Sequence, residues 1–280
     1  MANRRTGTVA ALAAGLTGMT VALGGCGTLG ATTYHEDRRY QLPGSVTSLN
    51  LRLDAADVEI VGGDATTISV HERLSWSKGR KPTPGHRREG DTLVLDYTCP
   101  DGFTIGFNSC SVDYRIEVPR AMAARIHANT GDIRVRALAG PLHVTTDTGN
   151  VTATDLRGGN VNAATNTGDI RLTGAGSVQA RTDVGNVTLD ETQGRSVTAA
   201  TNTGDIRIGY RTDRVPDSVT ATADTGDVHI TVPATVGYAF ESRTEKDNDR
   251  PDIIGIRVDS ASEHRITVTT SWGDISLTAA

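Results

Sequence analysis

The sequence predicts an all-β fold, a single-domain β-solenoid resembling a parallel β-helix, with coils of about 18 residues and Asx-Thr-Gly-Asx turns. Three observations carry this. A glycine-centred motif recurs at nearly constant spacing, apolar residues alternate with period two on both sides of it, and the composition is poor in large side chains. Aromatics are 4% of the 280 residues against 37% hydrophobic and 31 glycines. Val, Ile, Thr and Ala must therefore fill a thin interior, which suits strands.

The turn glycine stands at Gly131, Gly149, Gly168, Gly185, Gly204, Gly226 and Gly273, with successive spacings of 18, 19, 17, 19, 22 and 47. An eighth copy at 49–60 carries Ala56 in the glycine position. Before each glycine come apolar or threonine residues two apart, as in Val161, Ala163 and Thr165; after it come pairs such as Ile170 and Leu172. This alternation on both sides of a tight turn means two short strands, each with one face inward. An Asx side chain can bond backbone ahead of it in such a turn, and glycine accepts positive φ. A unit this small cannot bury a face alone, so copies must stack. Parallel coils and an antiparallel meander of hairpins are the two ways to do so.

The charges favour parallel coils with one repeat per turn. Asx residues flank the glycine in the order Asn129/Asp132, Asp147/Asn150, Asn166/Asp169, Asp183/Asn186 and Asn202/Asp205, so the order flips in every copy. In a stack the same position recurs about 4.8 Å away, where two carboxylates would repel by roughly 1–4 kcal/mol. Alternation doubles the like-charge distance and lets each amide donate to the carboxylates above and below. A 36-residue coil would place Asp on Asp. Arg134, Thr152, Arg171, Thr188 and Arg207 keep the same beat, with Arg where Asp follows the glycine. Each Arg can then pair with its own Asp, or Arg134, Arg171 and Arg207 together can form a basic ligand face.

Residues 1–25 read as an export signal: Arg4 and Arg5 precede an apolar run from Val9 to Leu23, too short and glycine-rich to span a membrane. Leu23-Gly24-Gly25-Cys26 resembles the lipobox of bacterial lipoproteins, which implies lipid attachment at Cys26 and anchoring on the outer face of the cell membrane; an ordinary signal peptide with an incidental cysteine is the alternative. Residues 26–45 read as a flexible tether and 46–280 as the solenoid domain. The basic segment 78–88 reads as a mobile loop, and 241–252 as an insertion before the final coil. In an exported chain Cys99 and Cys110 most often form a disulfide; a two-cysteine metal site is the rival, without a histidine at ligand spacing.

The repeated TGDI and TGNV turns, with RIEVP at 115–119 and HITVP at 229–233, make the chain similar over 46–280 to an uncharacterised bacterial family of β-strand-repeat domains labelled putative adhesins. The resemblance implies fold and an exported or membrane-linked location. It supplies no catalytic residues.

A net charge of −5 gives no case for nucleic acid, which wants a clustered basic face. The repeated Asp residues are accounted for by turns, the glycine-rich calcium-roll pattern is missing, and the seven histidines lack metal spacing. The expectation is a non-enzymatic surface lipoprotein without cofactor or metal, binding a cell-wall polymer or surface protein along one face. An accessory or sensor lipoprotein of an envelope-stress system and a polysaccharide-active enzyme are the alternatives.

Overall fold

The computed structural model describes residues 33–43, 45–100, 109–245 and 250–280, and among them there is no helix. The expected export signal, residues 1–25, and Cys26 lie outside the described residues. The strands are, in chain order, β1 (Thr33–Pro43), β2 (Ser48–Ala55), β3 (Val58–Gly63), β4 (Thr67–Ser77), β5 (Thr83–Glu89), β6 (Thr92–Thr98), β7 (Cys110–Pro119), β8 (Ala123–Thr130), β9 (Ile133–Arg136), β10 (Leu142–Thr148), β11 (Val151–Thr154), β12 (Val161–Thr167), β13 (Ile170–Thr173), β14 (Val178–Val184), β15 (Val187–Thr192), β16 (Ser196–Thr203), β17 (Ile206–Tyr210), β18 (Ser218–Thr225), β19 (Val228–Val232), β20 (Gly237–Thr244), β21 (Asp252–Ile254), β22 (Arg257–Val258), β23 (Arg265–Trp272) and β24 (Ile275–Ala279). They form two 12-stranded sheets. Sheet I runs β1-β4-β7-β3-β9-β11-β13-β15-β17-β19-β24-β21, and sheet II runs β22-β20-β23-β18-β16-β14-β12-β10-β8-β2-β6-β5.

Adjacent repeats are direct parallel neighbours. Leu142 pairs with Val161, Val161 with Val178, Val178 with Val197 and Val197 with Val219 in sheet II. Ile133, Val151, Ile170, Val187 and Ile206 follow one another in sheet I. The core lies between the sheets and is one continuous cluster. Ala163, Ala180, Ala199 and Ala221 line its sheet II side while Leu172, Leu189, Ile208 and Ile230 line the other, so small residues are matched with larger ones across a narrow interior.

The glycines are dictated by stacking. Gly131, Gly149, Gly168, Gly185, Gly204 and Gly226 have φ between 135° and 149°. A Cβ on Gly168 would stand 2.1 Å from the carbonyl oxygen of Gly149, and the same clash repeats along the column. Ala56 is tolerated because the neighbouring pair β6–β7 is joined through the long segment 99–109 rather than by this turn. Beside the glycines, Thr165, Thr182, Thr201 and Thr270 are buried and donate their hydroxyls to the preceding rung's glycine carbonyl, at 2.9–3.1 Å.

The Asx residues after the glycine form a second ladder. Oδ1 of Asp57, Asp132, Asn150, Asp169, Asn186, Asp205 and Asp227 each accepts the backbone N–H of the equivalent residue on the next rung, at 2.8–2.9 Å. Both Asp and Asn supply that oxygen. Before the glycine, the amides of Asn129, Asn166 and Asn202 donate to Asp54, Asp147 and Asp183 at 2.8, 3.3 and 3.4 Å. Each amide thus serves the preceding rung only, rather than both neighbours as expected, because a planar amide aimed along the stack presents its NH₂ to one side and its oxygen to the other.

The ends depart from the sequence reading in three places. Thr33–Pro43, expected in the tether, is edge strand β1, paired antiparallel with β4 over its whole length. It is held by Glu36–Lys81 at 2.5 Å, Asp37–His71 at 2.8 Å and the Tyr40 hydroxyl donating to buried Glu72 at 2.6 Å. Most of the expected loop 78–88 is β5, antiparallel on β6 and tied by Arg87 to Asp96. The insertion completes the outermost rung: β20 and β21 flank β23 and β24, so the last coil in sequence is the penultimate one in space. Charged or very short strands at the ends discourage further strand addition.

Candidate ligand-binding faces

Arg134, Arg171 and Arg207 share one outward column of sheet I, separated by Thr152 and Thr188. Alternate strands place consecutive arginines about 10 Å apart. Arg134 pairs with Asp132 at 2.7 Å. Among the described residues Arg171 and Arg207 make no ion pair with Asp169 and Asp205, so the local pairing expected from the sequence holds at one rung of three. Asp132, Asp169 and Asp205 all give Oδ1 to the backbone ladder, and Asp132 meets Arg134 through its other oxygen, Oδ2.

Topology extends this column beyond the repeats. Arg39, His71, Arg115 and Glu59 continue it in register up to Arg134. Together with Arg73, Asp57, Asp113 and Glu117 they line a depression of about 660 Å³. Within the lining Arg115 bonds Glu59 at 3.0 Å, while His71 and Arg134 bond Asp37 and Asp132 beside it. Burial pushes the Asp113 carboxyl upward; a hydrogen bond from the Asp57 backbone opposes this, and the Asp57 charge adds to it. Spacing could not reveal this extension, since β1 and β4 run against the repeats.

Cys99 and Cys110 are joined with an S–S distance of 2.05 Å, closing the segment between β6 and β7. Among the described residues no group of three or more His, Cys, Asp or Glu side chains is arranged to hold a metal ion. The strongly perturbed groups, Tyr40, Glu72 and Tyr114 near β1 and Tyr210 on β17, are all pushed upward first by burial, and of them only Tyr114 borders the sheet I depression.

A second concavity was not singled out by the sequence reading. It crosses sheet II over its outward face, encloses about 610 Å³ and follows the column Asn50, Arg125, His143, Asn162, Gln179, Thr198. All six stand six residues before the turn glycine or its Ala56 counterpart, so the repeat frame does contain them. Their chemical variety hid them.

Among solved structures, a putative adhesin from Bacteroides fragilis NCTC 9343 aligns with a TM-score of 0.51 at 12% identity, over 90% of this chain and 100% of that one. A putative cell adhesion protein from Clostridium sporogenes ATCC 15579 aligns with a TM-score of 0.30 at 13% identity, over 88% and 100%. A putative lipid binding protein from Parabacteroides distasonis ATCC 8503 aligns with 0.38 at 12% identity, over 87% and 96%. The first likeness shows a common fold. No curated protein matches the sequence. The Toastrack DUF4097 family profile matches residues 46–278, the span that holds all the stacked repeats, and the chain belongs to that family.

Proposed function

We propose that the protein is a non-enzymatic cell-surface protein, anchored through a lipid on Cys26, that presents a solenoid of roughly 18-residue coils with Asx-Thr-Gly-Asx turns to an envelope or extracellular partner. The observation that carries this reading is the sheet I column, in which Arg171 and Arg207 stand exposed and without ion pairs among the described residues at a regular two-strand interval. A repeating array of cations suits a repeating anion such as a cell-wall polymer better than a single small ligand. The Bacteroides fragilis neighbour's description as a putative adhesin agrees with it.

The test is sedimentation of the full chain with purified cell wall, comparing wild type with an Arg134→Ser/Arg171→Ser/Arg207→Ser variant. Binding that falls severalfold in the variant, and weakens with added salt, supports the reading. Equal binding by both proteins rejects the column as the contact. In cells, Cys26→Ala should move the protein from the membrane fraction to the soluble fraction.

A further inference from the structure

The groove on sheet II differs from the rest of the surface in its chemistry. Its lining contains no carboxylate, although the chain has 33 Asp and Glu residues. It contains one arginine, Arg125, which makes no ion pair among the described residues. Asn162 and Gln179 stand side by side with Nδ2 donating to Oε1 at 3.4 Å, a long contact that leaves most of their donor and acceptor capacity facing solvent. His143 lies between Arg125 and Asn162. Its imidazole is held below the usual histidine range by burial and then by the Arg125 charge, so at neutral pH it too offers one donor and one acceptor.

From Asn50 to Thr198 the column crosses six adjacent strands of one sheet, a span of roughly 24 Å at the strand spacing. The groove runs across the strands, so each rung except that of Arg125 adds one neutral side chain that can both give and accept a hydrogen bond. An extended peptide would want an unpaired strand edge or apolar side-chain pockets; the groove crosses paired strands, and the apolar lining residues Leu49, Ala124, Leu142, Val161 and Val178 are buried. An extended chain of hydroxyl-bearing rings matches it: each hydroxyl is donor and acceptor, and the strand spacing is close to the length of one pyranose unit.

We infer that the sheet II groove is a binding site for an extended glycan, with Asn162, Gln179 and Thr198 meeting successive sugar hydroxyls and Arg125 meeting an anionic substituent. This deepens the surface-protein reading by naming a partner class, on the opposite sheet from the arginine column. Carboxylate and phosphate substituents present the same charge to Arg125 and are separated by experiment.

The test is affinity electrophoresis of the full chain through gels containing polygalacturonate, phosphomannan or dextran. At neutral pH the protein's net charge of −5 opposes non-specific attraction to a polyanion, so retardation reports a specific site, and the groove variant separates this site from the arginine column of sheet I. The expected result is retardation by at least one of the anionic polymers, reduced about tenfold or more in an Asn162→Ala/Gln179→Ala variant. Arg125→Gln should abolish the preference for that polymer over dextran, and carboxylate or phosphate is assigned by which polymer retards. The substituted side chains are exposed or half-buried, and unchanged melting curves confirm folding. No retardation by any polymer, equal retardation of the groove variant, or competition by unfolded casein alone overturns the inference. If the Arg134/Arg171/Arg207 variant loses wall binding while the groove variant keeps it, the proposed function stands and the groove assignment fails. Glycan retardation by the groove without wall sedimentation gives the converse.

Discussion

Asp132 receives two hydrogen bonds from Asn150 on the next rung: Oδ1 accepts the Asn150 backbone N–H at 2.9 Å and its side-chain amide at 3.2 Å. An aspartate at 150 would keep the first and lose the second, while placing its carboxylate between those of Asp132 and Asp169. Asn150→Asp is therefore expected to cost about 1–3 kcal/mol at neutral pH. The loss should shrink in high salt and at acid pH, and Asn186→Asp should behave alike. Chemical denaturation at two salt concentrations measures it; a neutral effect at both would remove charge spacing as the reason for the alternation.

Gly168→Ala should fail much more severely than substitution at an open turn. Its Cβ would meet the Gly149 carbonyl at 2.1 Å, and the backbone cannot yield without unstacking a rung. Gly158 also has positive φ but open space around it, so Gly158→Ala is expected to cost only about 1 kcal/mol. Melting temperatures of the two variants separate the clash from backbone conformation alone.

The threonine ladder makes a paired prediction. Thr182 is fully buried and its hydroxyl caps the Gly168 carbonyl at 2.9 Å, so Thr182→Val is expected to destabilise by about 1–3 kcal/mol. Ala223 occupies the same column between Thr201 and Thr270, beside a glycine carbonyl without that hydroxyl. Ala223→Thr should gain about 0.5–1 kcal/mol. Loss of stability in both variants would argue that shape, not the hydrogen bond, sets this column.

Glu72 gives the β1 end a pH dependence. Burial pushes its carboxyl above the ordinary glutamate range, against the Tyr40 hydroxyl, Arg38 and His86. The folded state thus holds this proton more tightly than the unfolded chain, so the contribution to stability is greatest in acid and is lost as pH rises from the ordinary glutamate value through the raised one. Glu72→Gln should melt above wild type at pH 8, and the difference should close on acidification. Parallel melting curves across that window would contradict the assignment.

The middle of the molecule was legible because its structure is local in the repeat: a glycine, an Asx pair and two alternating strands recur, and each rung touches only the next. The ends were not. Nothing in the period shows that β6–β7 and β8–β9 settle on opposite sides of β2–β3, or that β20–β21 overtakes β23–β24. The run from Glu36 to Arg39 reads as a soluble tether because, apart from the local Arg38–Glu36 pair, its charges meet partners 30 or more residues away, such as His71 and Lys81. The arginine column was visible by spacing, but its pairing was not, because Asp132, Asp169 and Asp205 all give Oδ1 to the backbone ladder and only Asp132 takes its arginine on Oδ2.

The alternating Asx column carries a parity. A duplication that added one coil between Asn150 and Asp205 would set like against like at a new junction, while adding two coils would restore the sequence of amide and acid. Lineages of this fold that keep the alternation should therefore differ in length by even numbers of central coils.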